Sequence, residues 1–140
     1  MAINTGKVNT GGLLAGLVMN VLDMTFNFTV LLEDSKAMAE RLHLDPAVAT
    51  DFSYAIPFIV IDFILGLVIV WNYAAIRPRF GPGAKTAVLA GLVPWVSVTA
   101  VLHGFAGLGI FSAMFIAKSS FFALISVIAG SLSGGWAYKE

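Results

Sequence analysis

The sequence predicts an all-α fold, a four-transmembrane-helix bundle, and three observations carry that expectation. Hydrophobic residues make up 59% of the chain and charged residues only 11%, where a soluble domain has about 25% charged. Mean hydropathy is +0.90, so most of the surface is not built to face water. A membrane crossing takes about 20 residues, and four apolar stretches of that length nearly fill the 140 residues as a single membrane domain, 1–140.

Residues 1–10 are polar and read as a loosely ordered tail. Span 1 is expected over 11–32. Its apolar run continues past Asn20 and Asp23 without a small-residue cleavage site, so it reads as a retained span rather than a signal peptide. The next stretch, EDSKAMAERLHLDPAVAT, is the most charged in the chain. Partial helical spacing of its apolar residues predicts a short surface helix over 35–42, ended by Asp45-Pro46. Span 2 is expected over 52–76, with Pro57 in its first turns, where a missing donor matters least. Trp71 and Tyr73 suit the headgroup region. In RPRFGPGAK, Pro78, Gly81, Pro82 and Gly83 are expected to stop the helix, and Arg77, Arg79 and Lys85 to sit among lipid headgroups. Span 3 is expected over 86–108 with Pro94 inside it, and span 4 over 113–138.

Orientation follows the Lys/Arg count. Lys7, Arg77, Arg79, Lys85 and Lys139 share one side; Lys36, Arg41 and Lys118 share the other with Glu33, Asp34, Glu40, Asp45 and Asp51. Both termini are therefore expected in the cytoplasm, with the surface helix in the first extracytoplasmic loop. Lys118 is expected to snorkel to the interface.

The polar residues inside the spans are the candidate site. At about 100° per residue, Gly12, Gly16, Asn20, Asp23 and Asn27 fall within a sector of roughly 80°. Leu14, Leu17, Val18, Val21, Met24 and Phe28 cover the opposite face. An ionisable group at membrane depth costs several kcal/mol unless it faces protein, water or a partner, so this stripe should turn inward. On span 2, Asp62, Gly66 and Tyr73 share a face. Counting about 1.5 Å per residue puts Asp23 and Asp62 at matching depth, roughly 14 and 15 Å from the outer ends of their spans. Two carboxylates sharing a low-dielectric site would not both ionise, a proton-binding arrangement in principle; the alternative is a register lock of hydrogen bonds. On span 3, Gly91, Trp95, Thr99 and His103 form a drifting stripe. On span 4, Ser126, Gly130 and Gly134 give the small-residue spacing that lets helices approach in lipid. Gly12, Gly16 and Gly66 read as packing positions of the same kind.

Several chemistries lack their residues. With no cysteine, disulfides, thiolate metal sites and Cys nucleophiles are excluded. His43 and His103 make no zinc spacing, and there is no P-loop, HExxH or GxSxG motif. No catalytic residues, metal or cofactor are expected, and a zero net charge without a basic run gives no nucleic-acid partner.

The stretch WNYAAIRPRFGPGAKTA, the opening GGLLAGLVMNVLDMTFN and the ending GGWAYKE resemble small bacterial four-span integral membrane proteins. The resemblance covers most of the chain and implies four helices in a bacterial inner (cytoplasmic) membrane. Its motifs name no chemistry. Span 1 lacks the embedded Glu of small multidrug transporters.

The expected function is therefore that of a small multi-pass membrane protein without enzymatic chemistry, a structural or accessory subunit. Its partners would be the lipid bilayer and either other membrane proteins or further copies of itself, since the small face of span 4 invites a homo-oligomer. The alternative is a small transporter or channel with a polar cavity around Asn20, Asp23, Asn27, Asp62 and His103. A lipid-acting enzyme is the weakest reading.

Overall fold

A computed structural model describes residues 3–138. Among these the chain is helical, without strands, and four of its helices are long and apolar enough to cross a membrane. The order is α1 (Thr5–Phe28), α2 (Leu32–Arg41), two short 3₁₀ turns (Pro46–Ala49 and Phe52–Ala55), α3 (Ile56–Phe80), α4 (Ala84–Gly107) and α5 (Ala113–Ala137). Large apolar side chains such as Leu17, Val21, Val60, Ile64, Val93, Val96 and Phe121 point outward, as lipid-facing surfaces require.

Both ends of α1 and the far end of α3 depart from the sequence expectation. The described part of the polar tail is helical from Thr5, because the Asn4 side chain accepts from the Lys7 N–H at 3.1 Å and caps the first turn. The Thr10 hydroxyl donates to the Gly6 carbonyl, so polar residues join the helix without leaving it short of partners. α1 then stops at Phe28, where the Leu31 N–H closes onto the Phe26 carbonyl at 2.9 Å. At the far end of α3 the helix runs through Pro78 to Phe80, past the expected stop. A proline in the last turn forfeits one hydrogen bond, and the Gly81 N–H still bonds the Arg77 carbonyl at 2.9 Å. Gly81 (φ 82°) and Gly83 (φ 127°) then make the turn that other residues resist. The Tyr73 hydroxyl accepts from the Gly83 N–H at 3.2 Å, and the Thr86 hydroxyl donates to the Gly81 carbonyl at 2.7 Å.

α1 packs mainly on α3 and α5, and α4 on α5 and α3. Sequence neighbours are therefore spatial neighbours, and the ring closes between α1 and α5. One end of the bundle holds the N-terminus of α1, the α3–α4 hairpin and the C-terminus of α5. There the Tyr138 hydroxyl accepts from the Asn4 N–H at 3.2 Å, the Tyr73 and Tyr138 rings meet edge to face, and the Arg77 guanidinium lies 5.9 Å from the Tyr138 ring centre. This terminal end carries Lys7, Arg77, Arg79 and Lys85; Lys139, counted with it, lies outside the described residues.

Packing is unequal along the bundle. The larger buried cluster, Val8, Ala15, Val70, Tyr73, Ala74, Ala87, Ala90 and Tyr138, sits at the terminal end. Glycines bring the backbones together there. A Cβ on Gly11 would come within 2.7 Å of the Gly134 carbonyl oxygen, and one on Gly12 within 2.7 Å of the Leu67 Cα. Gly130 is filled by Met19, and Gly134 packs against Val70 and Ala15. In α4 the buried residues end at Gly91, just before Pro94. Towards the opposite end, Gly104, Gly107 and Gly109 have nothing near the Cβ position.

At that opposite end α2 is tied across the bundle. Lys118, in the second turn of α5, donates to both Asp34 carboxylate oxygens at 3.0 and 2.9 Å, instead of only snorkelling. Arg41 donates to the Gly109 and Ile110 carbonyls of the α4–α5 loop, the latter at 2.8 Å.

Candidate functional site

A cavity of about 530 Å³ occupies the half of the bundle nearer α2. On α1 its wall runs from Met19 to Phe28, on α3 from Phe58 to Ile69, on α4 from Pro94 to Leu102, and on α5 from Phe115 to Val127. Ser35 and Met38 of α2 and Tyr54 of the second 3₁₀ turn reach its mouth. Its length along α3 is roughly 16 Å at 1.5 Å per residue.

Four of the polar residues singled out from the sequence line this cavity: Asn20, Asp23, Asn27 and Asp62. Asn20 is 8% exposed; its amide donates to the Gly16 carbonyl at 2.9 Å and, across to α3, to the Ile59 carbonyl at 3.2 Å. Its side-chain oxygen has no hydrogen-bond partner. Asp62 is buried, Asp23 is half-buried, and the Ser126 hydroxyl stands beside the Asp23 carboxyl. Because the helices end earlier than expected, the two carboxylates lie closer to the helix ends, about 8 and 9 Å at 1.5 Å per residue. Asn27 sits on an exposed stretch at the rim, and its amide is taken by the Asp23 main-chain carbonyl at 2.8 Å.

His103 lies apart. It is exposed, outside the cavity wall, and its Nδ1 meets the Thr99 carbonyl at 2.9 Å. The reason is geometric. A four-residue step advances about 400°, so the stripe drifts about 40° per step. Gly91 is buried, Trp95 and Thr99 are half-buried on the wall, and His103 has rotated out to the surface.

The packing residues split from the polar ones by depth. Gly12 and Gly16 meet Leu67 and Phe63 of α3, and Gly66 meets the α1 backbone at Gly12 and Gly16. Ser126, Gly130 and Gly134 are buried, with Gly130 and Gly134 closing onto α1 within this one chain. On the hairpin Arg79 and Lys85 are exposed.

Other features of the wall escape a reading of the sequence. The Trp95 indole donates to the Ser120 carbonyl at 3.0 Å, bridging α4 and α5 one residue after Pro94. The hydroxyls of Ser119 and Ser120 are buried without partners. Phe26 and Phe122, both on the wall, form a tilted ring pair 4.7 Å between centres. Asp51, also on the wall, caps the second 3₁₀ turn by accepting from the Ser53 N–H at 2.8 Å, and that bond holds its carboxyl below the usual aspartate range. The signal for Ser119 and Ser120 was their position directly after Lys118, in the second turn of α5. Among the described residues no group of three or more His, Cys, Asp or Glu is placed to hold a metal.

No protein-family model matches this chain, no curated protein matches its sequence, and no solved structure matches its fold.

Proposed function

We propose that this protein takes up a small molecule inside the membrane, the transporter-like alternative, and acts without enzymatic chemistry. One observation carries the reading: a cavity of about 530 Å³ between apolar helices whose wall holds the partnerless polar atoms of Asn20, Ser119 and Ser120. Sites for drug-sized ligands span about 300–1,000 Å³, mostly apolar with a few fixed polar groups. A purely structural bundle gains nothing from burying unpaired polar atoms, each costing about 1–3 kcal/mol.

The homo-oligomer expectation rested on the small face of span 4, where Gly130 and Gly134 pack against α1 of the same chain. The orientation with both termini in the cytoplasm of a bacterial inner membrane draws support from charge. Lys7, Arg77, Arg79 and Lys85 gather at the terminal end, while at the other end Lys36 pairs with Glu33, Lys118 with Asp34, and Arg41 with loop carbonyls.

The test uses Trp95 as a reporter on the cavity wall. In full-length protein carrying Trp71→Phe and Trp136→Phe, both exposed positions, Trp95 is the remaining tryptophan of three. Titrating biphenyl-based probes into nanodiscs should change its fluorescence saturably, and Ala123→Phe, which fills the wall, should abolish the change. A response that only rises linearly with probe, as lipid partitioning gives, or that survives Ala123→Phe, defeats the reading.

A further inference from the structure

We infer that the cavity is a site for a hydrophobic organic cation, an amine or quaternary ammonium on an aromatic body. This rests on the reading of the cavity as a ligand site and adds the chemistry of what enters it.

The wall is one-sided in charge. It includes Asp23, Asp51 and Asp62 and no lysine, arginine or histidine. The cations nearest to that end are engaged elsewhere: Lys118 with Asp34, Lys36 with Glu33, and Arg41 with the Gly109 and Ile110 carbonyls. An anionic head would find no cation on the wall to pair with, and a neutral one would leave any ionised carboxylate uncompensated at membrane depth.

Independent of the acids, the partnerless polar atoms point the same way. Asn20 and Ser120 are each only 8% exposed. Asn20 has spent its amide on the Gly16 and Ile59 carbonyls, so what remains free is an acceptor oxygen. A free amide oxygen, like the carboxylates of the same wall, suits a donor-bearing or positively charged head.

The rest of the wall decides between an inorganic and an organic cation. Calcium or magnesium takes about six to eight oxygens in a compact shell, and no such group of residues exists among those described. The wall is aromatic as well as acidic, with Phe26, Phe58, Trp95 and Phe122 on it. Ring faces attract cations within about 6 Å of their centres and also bury an apolar body. The volume leaves room for both parts of such a molecule.

The experiment compares three probes on the Trp95-only protein in nanodiscs of uncharged lipid. They are 4-phenylbenzyl-trimethylammonium, its neutral isostere with carbon in place of nitrogen, and biphenyl-4-acetate. The cation should saturate the signal at a concentration roughly tenfold or more below the neutral isostere, the scale expected when a buried charge pair is broken, and the anion should not saturate it. Asp62→Asn should erase the cation's advantage over the neutral isostere. Equal affinity for cation and isostere, or an advantage that survives both Asp62→Asn and Asp23→Asn, overturns the cation assignment while leaving the cavity as a ligand site. If none of the three saturates, the reading of the cavity itself falls. Because the probe comparison is made on protein with both aspartates intact, a variant that fails to fold does not decide the question.

Discussion

Gly66→Ala is the sharpest test of how this bundle is held. A Cβ there would press on the Gly12 carbonyl oxygen and lie 2.5 Å from the Gly16 nitrogen, both backbone atoms of α1. Neither can rotate aside, so α1 must withdraw from α3 by about 1 Å to restore ordinary contact distances. Gaps of 0.5–1 Å already forfeit a quarter to a half of each contact's attraction, at about 0.1–0.2 kcal/mol per atom pair. The withdrawal would be felt at Gly12 against Leu67 and Gly16 against Phe63 as well. Overpacking of this kind costs about 1–3 kcal/mol, and the upper half of that range fits a clash with backbone on two residues. The usual helix gain of about 1 kcal/mol for Gly→Ala should largely cancel, because the spans stay helical in the unfolded micellar state. Unfolding in mixed micelles by titration with SDS, followed by tryptophan fluorescence, measures the loss. Gly104→Ala is the control: it has nothing within 4 Å of its Cβ position and should change stability by less than about 0.5 kcal/mol. Equal midpoints for the two variants would refute the argument that glycine contact sets the α1–α3 distance.

Two further outcomes concern the end that carries α2. A double-mutant cycle of Lys118→Ala and Asp34→Ala should give a coupling of about 0.2–1 kcal/mol that shrinks with salt, since both side chains are partly exposed; strictly additive effects would mean that the pair does not tie α2 to α5. Asp51 has its carboxyl held below the ordinary aspartate value by the Ser53 N–H. Its cap is therefore complete above the ordinary value and is lost as pH falls through the lowered one. Hydrogen exchange at the Ser53 amide should accelerate over that acidic window beyond the intrinsic pH dependence, and Asp51→Asn should remove this excess; the same excess in Asp51→Asn would assign the transition to another group.

The spans were legible because their signal is composition, which survives any choice of tertiary partner. Their ends were not, since they depend on individual capping atoms. Asn4 and Thr10 extend α1 into a polar segment, and one forfeited hydrogen bond lets α3 pass Pro78. The clustering of Asn20, Asp23 and Asp62 was readable from the 100° step and the depth count, as both are local geometry. The same step, carried through to Thr99 and His103, predicts the drift that puts His103 outside. The contacts that close the site were hidden for a different reason. Lys118 and Asp34 are 84 positions apart, and which face of α2 meets α5 is fixed by the loops rather than by any periodicity. Ser119 and Ser120 stand in the first turns of span 4, where no periodicity singles them out.

The two halves of the bundle follow from one substitution of residue size along shared helix faces. On α1, the face that carries Gly12 and Gly16 at the terminal end carries Asn20 and Asp23 further on; on α3, Gly66 gives way to Asp62 in the same direction. Where the face is glycine, backbones touch. Where it is amide and carboxylate, they cannot, and Trp95 and Phe122 from the other two helices face the same space. The cavity is thus held open from its closed end. Its width depends on the glycine contacts that fix the angle between helices as much as on the residues that line it. A bundle with large residues at both ends would hold its helices apart along their whole length, and one with glycine at both ends would have no cavity. The polar stripe of α1 is therefore a single device with two functions along its length: its glycines set the position from which its Asn20 and Asp23 reach the space they share with Asp62.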